Sequence, residues 1–315
     1  MNIDDSSRDI ANSAQYSSTP TDATQDGLLI MNADDWGRYK ETTDRTLDCV
    51  LCGAVSSVSA MVFMEDSERA AAVARERGID CGLHLNLTSS FTRGGVSSQL
   101  IEHQERLSTF LRRNRLAQVL FHPGLSKSFE YVVATQLDEF RRIYGEAPKR
   151  LDGHHHMHLC ANVLLLKLIP SGIVVRRNFS FRRGEKGLIN RKYRQFVDAL
   201  LSRRHILTDY FFALPPLQPP ERLREIFALA RHAVVEVETH PIDTQEYSFL
   251  TGGEIFRLAG DTRVARRYVP LPDPARRGPA KTPSNACSVS ACDSTRTFFF
   301  DAAHRHTSSE LAQNV

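Results

Sequence analysis

The segment LDGHHHMHL, residues 151–159, carries four of the chain's 12 histidines within five positions. Imidazoles are common ligands of divalent transition metals. The run lies in the middle of the chain and follows a predicted strand, which excludes an expression tag as its origin. Because four imidazoles so close in sequence cannot all face one ion, at least two of these histidines must serve another role. The segment predicts a metal site and leaves open which imidazole binds.

Three further polar motifs follow predicted strands, and each has an ordinary structural reading by itself. Adjacent aspartates commonly form turns or helix caps, and a histidine in an apolar strand is commonly a hydrogen-bonded core residue. The carboxyl ends of parallel strands meet at one edge of a sheet, so all four clusters would converge on one pocket. The three motifs are NADDWG with Asp34 and Asp35, GLHLN with His84, and EVETHP with Glu236, Glu238 and His240.

Such a pocket suits metal-assisted hydrolysis. Adjacent carboxylates at a strand end point in different directions, so one can bind a metal while its neighbour stays free as a base. An Asp-His-His set leaves positions open for water and substrate. The metal lowers the pKa of bound water and polarises a carbonyl, and a histidine on a distant strand can protonate the leaving group near neutral pH.

The elements that must position these groups alternate between strand and helix. Apolar runs at 28–33, 54–64, 79–87, 149–154, 172–177 and 233–240 are separated by segments of helical periodicity. The clearest helix covers 128–145, where apolar residues recur on one face and Gly145 ends it. Cys49 and Cys52 also lie within a helical pattern, which favours structural roles over a zinc or redox pair. The order predicts a mainly parallel sheet surrounded by helices, and about seven strands favour a (β/α)-barrel-like α/β fold.

Composition limits the classes of function that the chain could have. The net charge of +3 over 315 residues gives no support to nucleic-acid binding, and no apolar run is long enough to span a bilayer. Scattered cysteines without an apolar leader favour reduced thiols in the cytoplasm. Residues 1–26 and 269–315 are polar and aperiodic, which predicts disordered tails around a catalytic domain at 27–268. The pattern leaves a homodimer open.

The ordered motifs resemble those of the YdjC/ChbG family of carbohydrate deacetylases over about residues 27–265. LLIMNADDWG resembles the family's LLIVNADDFG, and GLHLNLT resembles GLHLxLT. LDGHHHMH resembles LDSHHHVH, and EVETHP resembles ExMxHPG. Four motifs in the same order are far more specific than any one of them. Trp36, Gly153 and Ile242 depart from the family's usual Phe, Ser and Gly.

The resemblance implies a metal-dependent (β/α)-barrel that removes the acetyl group from an N-acetylated amino sugar. It places the metal ligands at Asp35, His84 and His154. It makes Asp34 the base that activates water and His240 the acid that protonates the leaving amine. The cofactor is a divalent ion, zinc or magnesium, and the partner is a small carbohydrate.

Four further residues near these motifs are candidates for supporting roles. Arg176 either contacts substrate or holds a carboxylate, unless it forms an ordinary salt bridge at a strand end. Asp152, His158 and Glu236 are expected to orient the ligands.

Two other functions remain open on the sequence. The same ligand set would suit a metal-dependent hydrolase of another amide or of a phosphate ester. A non-catalytic protein that binds metal or sugar would keep the ligands but change Asp34 or His240, and both are present.

Overall fold

A computed structural model describes residues 27–113, 115–181 and 187–268. The predicted disordered tails lie outside the described residues, and the domain boundaries stay a prediction. Within the described ranges the chain forms seven strands, which are β1 Leu28–Trp36, β2 Ser57–Ala60, β3 Cys81–Leu85, β4 Arg150–Gly153, β5 Val174–Val175, β6 Tyr210–Ala213 and β7 Val234–Thr239.

Helices follow the strands along the chain. The described α-helices are α1 Lys40–Leu51, α2 Ser67–Arg77, α3 Ser98–Arg113, α4 Ser126–Tyr144, α5 Ala161–Leu165, α6 Leu188–Leu201, α7 Pro220–Leu229, α8 Thr244–Thr251 and α9 Glu254–Ala259. Gly78 and Gly145 end α2 and α4 in the left-handed conformation that glycine adopts without steric cost. In the part of the chain that the structure describes, no helix combines the length and apolarity needed to span a bilayer.

The seven strands form one parallel sheet in the order β5-β4-β3-β2-β1-β7-β6. The sheet curves into a half-barrel, and its edge strands approach each other across the gap. Val174 of β5 forms a parallel bridge with Ile206, and the Ser180 N–H donates to the Phe211 carbonyl of β6 at 2.7 Å. These contacts confirm the barrel-like parallel sheet predicted from the strand-helix order.

Alternate residues of the strands have opposite character. One face is apolar and packs under the helices in the main core, with Met31, Ala33, Leu83 and Leu151 fully buried there. The other face lines the barrel interior and is polar. Its buried members are Asn32, Asp34, Ser59, His84, Arg150, Asp152, Glu236 and Glu238. Charged groups are rarely buried without partners because their desolvation is costly, so this interior indicates a functional site.

Some elements differ from the sequence-based expectation. β6, with the sequence YFFA, was not predicted because a four-residue aromatic run between loops carries no clear period. α5 spans only Ala161–Leu165 although the apolar run continues to Ile169. Its early end accompanies Lys167, whose φ of 56° is left-handed. The predicted helical setting of Cys49 and Cys52 is confirmed, since α1 contains Cys49 and Cys52 is its C-cap.

Candidate metal centre and active site

The end of β1 directs two adjacent aspartates to different places. The pairing of β1 with β2 shifts register between Ala33 and Trp36, which is the signature of a bulge. Asp35 has a φ of 64°, a left-handed conformation that non-glycine residues seldom adopt. As a result, Asp34 points to Arg176 and Asp35 lies among histidines. Such strain persists where the surroundings enforce it, and it is frequent at functional sites.

Asp35, His84 and His154 come together at the carboxyl edge of the sheet. One atom from each lies within 4.8 Å of the others, and all three residues are buried. Asp35 Oδ1 lies 3.0 Å from His154 Nδ1 and 3.4 Å from His84 Nε2. Within the described residues, this buried oxygen nevertheless has no hydrogen-bond partner. Three donor atoms that approach one point without bonding to one another fit a divalent cation, so the residues present suit the implied metal.

Asp152 fixes the orientation of His84. The His84 Nδ1–H donates to Asp152 Oδ1 at 2.7 Å, so Nε2 is left to face Asp35. Asp152 Oδ2 in turn accepts from the Ser59 hydroxyl at 2.5 Å. A carboxylate behind a ligating imidazole is the usual way to fix its tautomer and raise its basicity.

The surrounding charges keep these groups in defined protonation states. Burial lowers the pKa of His84, but Asp34 and the other nearby carboxylates outweigh it and raise the pKa to about 10, so a metal at Nε2 would displace a proton from this imidazole. Burial lowers the pKa of His154 below its usual range, which favours the neutral imidazole that a metal requires. Burial raises the pKa of Asp35, but the contacts with His154, His84 and Arg38 together outweigh it and leave the pKa well below the usual value.

Arg176 links the interior carboxylates. Its Nη1 and Nη2 donate to both oxygens of Asp34 at 2.6 and 2.8 Å, and its Nε donates to Glu236 at 2.7 Å. The same guanidinium lies 3.0 Å from Asp152 and 3.3 Å from Glu238. It therefore contacts the predicted base rather than the predicted ligand Asp35.

A second group of donor atoms lies nearby but fits a metal poorly. Asp34, His84 and Asp152 also place one atom each within 4.8 Å of the others. Both carboxylates are already paired with Arg176, and the His84 Nδ1–H is occupied by Asp152. A cation between them would face a guanidinium and a bonded proton, so Asp35, His84 and His154 form the better site.

His240 follows β7, and Glu246 of α8 fixes its backbone. Glu246 Oε2 accepts from the His240 N–H at 2.9 Å and from the Thr239 hydroxyl at 2.6 Å. Burial lowers the pKa of His240, but the carboxylates around it, first Asp34, outweigh burial and raise the pKa. A raised pKa keeps the imidazole protonated to higher pH, as a proton donor requires.

The four histidines of the central run separate because the chain turns sharply. His155 and His156 have φ values of 53° and 57°, both left-handed. His154 faces Asp35 at 3.0 Å, and His155 Nδ1 lies 3.0 Å from the Thr88 hydroxyl. The four imidazoles thus contact four different environments.

His158 lies at the far end of that run, away from the three donor atoms. Its Nε2–H donates to the Arg176 carbonyl at 3.0 Å, which supports the backbone next to the guanidinium. Burial lowers its pKa to about 3, so it stays neutral. A Cβ at Gly153 would lie 2.9 Å from the His158 backbone nitrogen. The close approach of His158 to β4 therefore depends on the absence of a side chain at Gly153.

The structure thus places the four predicted supporting residues around the proposed base and ligands. Asp152 contacts His84, while Glu236 and His158 contact Arg176. Sequence reasoning missed Asn32, which donates to Asp34 at 2.9 Å, and Glu246. Asn32 precedes Asp34 by two positions on the same strand face, which was a usable signal, but nothing local identified Glu246.

The sequence model of YdjC-like proteins matches residues 28–257. The chain belongs to the YdjC-like family. The matched region contains every site residue described above, from the aspartates of β1 to Glu246 of α8.

Curated relatives carry deacetylase names. The chain is 29% identical over 194 residues to a chitooligosaccharide deacetylase of Enterobacter sp. (strain 638), which covers 59% of this chain and 68% of the relative. It is 32% identical over 136 residues to one of Serratia marcescens, covering 42% and 51%. A human carbohydrate deacetylase is 34% identical over 140 residues, covering 43% and 42%. The alignment spans about half the length of the Serratia relative.

A solved structure supports the fold. It is a candidate cellobiose-phosphate cleavage protein of Enterococcus faecalis V583, with a TM-score of 0.54 and 16% identity. The match covers 76% of this chain and 96% of that protein. At this identity the likeness concerns the fold alone.

Proposed function

We propose that this chain is a metal-dependent hydrolase that removes the acetyl group from an N-acetylated amino sugar. The observation that carries the proposal is the separation of two adjacent aspartates. Asp35 lies with His84 and His154, while Asp34 is paired with Arg176 and remains close enough to raise the pKa of His240. The residues proposed as metal ligands, base and acid therefore lie at one end of the sheet. The names of the curated relatives agree with that reaction.

Asp35, His84 and His154 would hold the metal ion. When bound, a divalent cation polarises the amide carbonyl, lowers the pKa of water and stabilises the oxyanion that develops. Two imidazoles and one carboxylate suit zinc, whereas magnesium prefers oxygen ligands alone. We therefore place zinc before magnesium.

Asp34 would accept the proton of the attacking water. Burial raises its pKa, but the Arg176 guanidinium outweighs burial and keeps the pKa below the usual value. The carboxylate is thus ionised at neutral pH and held in position by two donors of Arg176 and one of Asn32. Its fixed geometry compensates for modest basicity, because positioning supplies much of the barrier reduction.

His240 would donate the proton that the leaving nitrogen needs. Water adds to the amide carbon, the carbon–nitrogen bond breaks, and the nitrogen takes the His240 proton to leave as an amine. The acetyl group departs as acetate. Asp34 then releases its proton to solvent, and His240 takes up a proton from solvent, so both groups return to their starting states.

The test is acetate release by the zinc-loaded chain from a panel of N-acetylated sugars, with Asp34→Asn beside it. We expect release by the parent chain and loss of at least about 100-fold in Asp34→Asn, the lower range for general-base catalysis. Zinc content, measured by atomic emission, should stay equal because Asp34 is not a ligand. Turnover of a phosphate ester or an acyclic amide, but of no sugar, would show that the substrate is not an N-acetylated amino sugar. Equal activity in Asp34→Asn would refute the role of Asp34.

Location in the cytoplasm and a homodimer stay predictions. The described cysteines, Cys49, Cys52, Cys81 and Cys160, are free thiols. Burial raises the pKa of Cys49 and of Cys160 to about 12, so both stay protonated thiols near neutral pH. Size-exclusion chromatography with light scattering would measure the oligomeric state.

A further inference from the structure

Three aromatic side chains, Phe179, Phe211 and His156, lie together beside the proposed catalytic groups, and we call them the aromatic wall. The rings of Phe179 and Phe211 stack with centroids 4.6 Å apart and an interplanar angle of 17°. His156 meets Phe179 edge-on at 4.7 Å. Phe211 is fully buried, whereas Phe179 is half-buried. Phe211 therefore supports Phe179 from the core side, and Phe179 keeps part of its ring open to solvent.

The wall is joined directly to the proposed base. The guanidinium carbon of Arg176 lies 4.9 Å from the centroid of Phe211. The same guanidinium holds both oxygens of Asp34. Phe211 and Arg176 thus connect the open ring of Phe179 to the group proposed to activate water.

Polar atoms lie along the edge of the wall. His156 Nε2 is 3.6 Å from Glu238 Oε2, and the His156 side chain is 25% exposed. An apolar flat surface beside a few fixed polar groups is typical of small-molecule sites. A pyranose ring matches this pattern, because one of its faces presents C–H groups and its edge carries hydroxyls.

The backbone of the histidine run places His156 in the wall. His155 and His156 are both left-handed, with φ values of 53° and 57°. Residues held in such conformations are frequent at functional sites. The turn separates the metal-facing His154 from His156 and places the latter against Phe179.

We propose that the aromatic wall binds a pyranose ring of the substrate beside the catalytic groups. The C–H face of the sugar stacks on Phe179, and its hydroxyls meet His156 and Glu238. The inference rests on the proposed function and adds the residues that select a sugar over other N-acetyl compounds. It makes Phe179 a determinant of specificity that takes no part in the chemical step.

The test compares Phe179→Leu with Phe179→Tyr. Leucine keeps an apolar side chain but removes the flat face, whereas tyrosine keeps the face. Phe256→Leu on α9 is the matched control, since Phe256 is 43% exposed and lies outside the wall. Substrates are the β-1,4 disaccharide of N-acetylglucosamine and the acyclic N-acetylethanolamine. Circular dichroism verifies that each variant is folded.

Two readouts are taken on zinc-loaded protein. The first is acetate release, resolved into kcat and KM. The second is calorimetric binding of the disaccharide in an Asp34→Asn background, where turnover is suppressed. We expect Phe179→Leu to weaken binding and raise KM roughly tenfold, a factor at the upper end for aromatic contacts. The kcat should stay nearly unchanged, and Phe179→Tyr and Phe256→Leu should behave as the parent chain.

The outcomes separate the two proposals. If the parent chain releases acetate from the disaccharide but Phe179→Leu keeps the parent's KM and affinity, the aromatic wall is wrong and the proposed function stands. An equal loss with N-acetylethanolamine would also overturn the inference, because the contact would not be with the sugar ring. If the parent chain does not bind the disaccharide, the aromatic wall is wrong, and if it also cleaves no sugar of the panel, the proposed function fails as well.

Discussion

Replacing Asp152 with asparagine tests how the site fixes its metal ligands. Asp152 accepts the Nδ1–H of His84 at 2.7 Å, so Nε2 faces Asp35 and is the nitrogen that a metal would bind in exchange for a proton. Asparagine keeps the shape but carries no charge, and its amide nitrogen can only donate. If the amide turns its nitrogen to His84, the imidazole must place its proton on Nε2. Either change weakens the donor that Nε2 offers to a metal.

The expected magnitude follows from comparable contacts. Loss of a carboxylate behind a ligating histidine typically lowers metal affinity about 10- to 100-fold, or about 1.4 to 2.8 kcal/mol. Stability should change less. Arg176 keeps Asp34, Glu236 and Glu238 as partners, so the guanidinium is not left uncompensated. We expect the free energy of unfolding to fall by about 1 kcal/mol, the scale of one hydrogen bond.

Zinc affinity is measured by competition with a chromogenic chelator, and unfolding by urea titration of the metal-free protein. Glu139→Gln is the control, because Glu139 is a similarly enclosed carboxylate, with 8% exposure, that pairs with Arg93 and Arg142 on the outer surface. Its zinc affinity should equal that of the parent chain. An Asp152→Asn variant that binds zinc as tightly as the parent would refute the claim that Asp152 sets the donor state of His84.

Two further changes test other contacts. Because nearby carboxylates raise the pKa of His240, the alkaline limb of kcat/KM should lie above the ordinary imidazole value. Glu246→Gln keeps both hydrogen bonds but removes a charge, so the limb should move to lower pH; an unmoved limb would show that Glu246 does not tune His240. Gly153→Ser should lower the free energy of unfolding, measured by urea titration, by about 1–3 kcal/mol, since its Cβ would crowd the His158 backbone. An unchanged free energy of unfolding would mean that the local turn adjusts freely.

The sheet was largely predictable because its strands carry a strong local pattern. β1, β3 and β7 combine apolar runs with polar residues at alternate positions, and helices of clear period separate them. Parallel order follows, since strand-helix alternation leaves few other arrangements. β6 was missed because its four residues do not alternate between apolar and polar side chains, so they show no strand period. Its place beside β7 depends on strand pairing that forms only in the folded protein.

The site was predictable in its members but not in its contacts. Polar residues at strand ends indicated which side chains would meet, because the carboxyl ends of parallel strands share one edge. The sequence could not show that Arg176 binds Asp34, since 142 positions separate them. Nor could it show that Glu246 supports His240, because a glutamate in the first turn of a helix is ordinary.

The sequence by itself determined the kind of fold, the family and the set of groups at the site. These depend on residue type and on short-range spacing, which the chain carries before it folds. The tertiary structure alone decided which carboxylate faces the histidines and which faces Arg176. That choice depends on the left-handed conformation of Asp35 and on the guanidinium of Arg176, which follows β5 at the edge of the sheet. It likewise assembled the aromatic wall from β6 and two loops, because contacts between distant segments exist only after the barrel has formed.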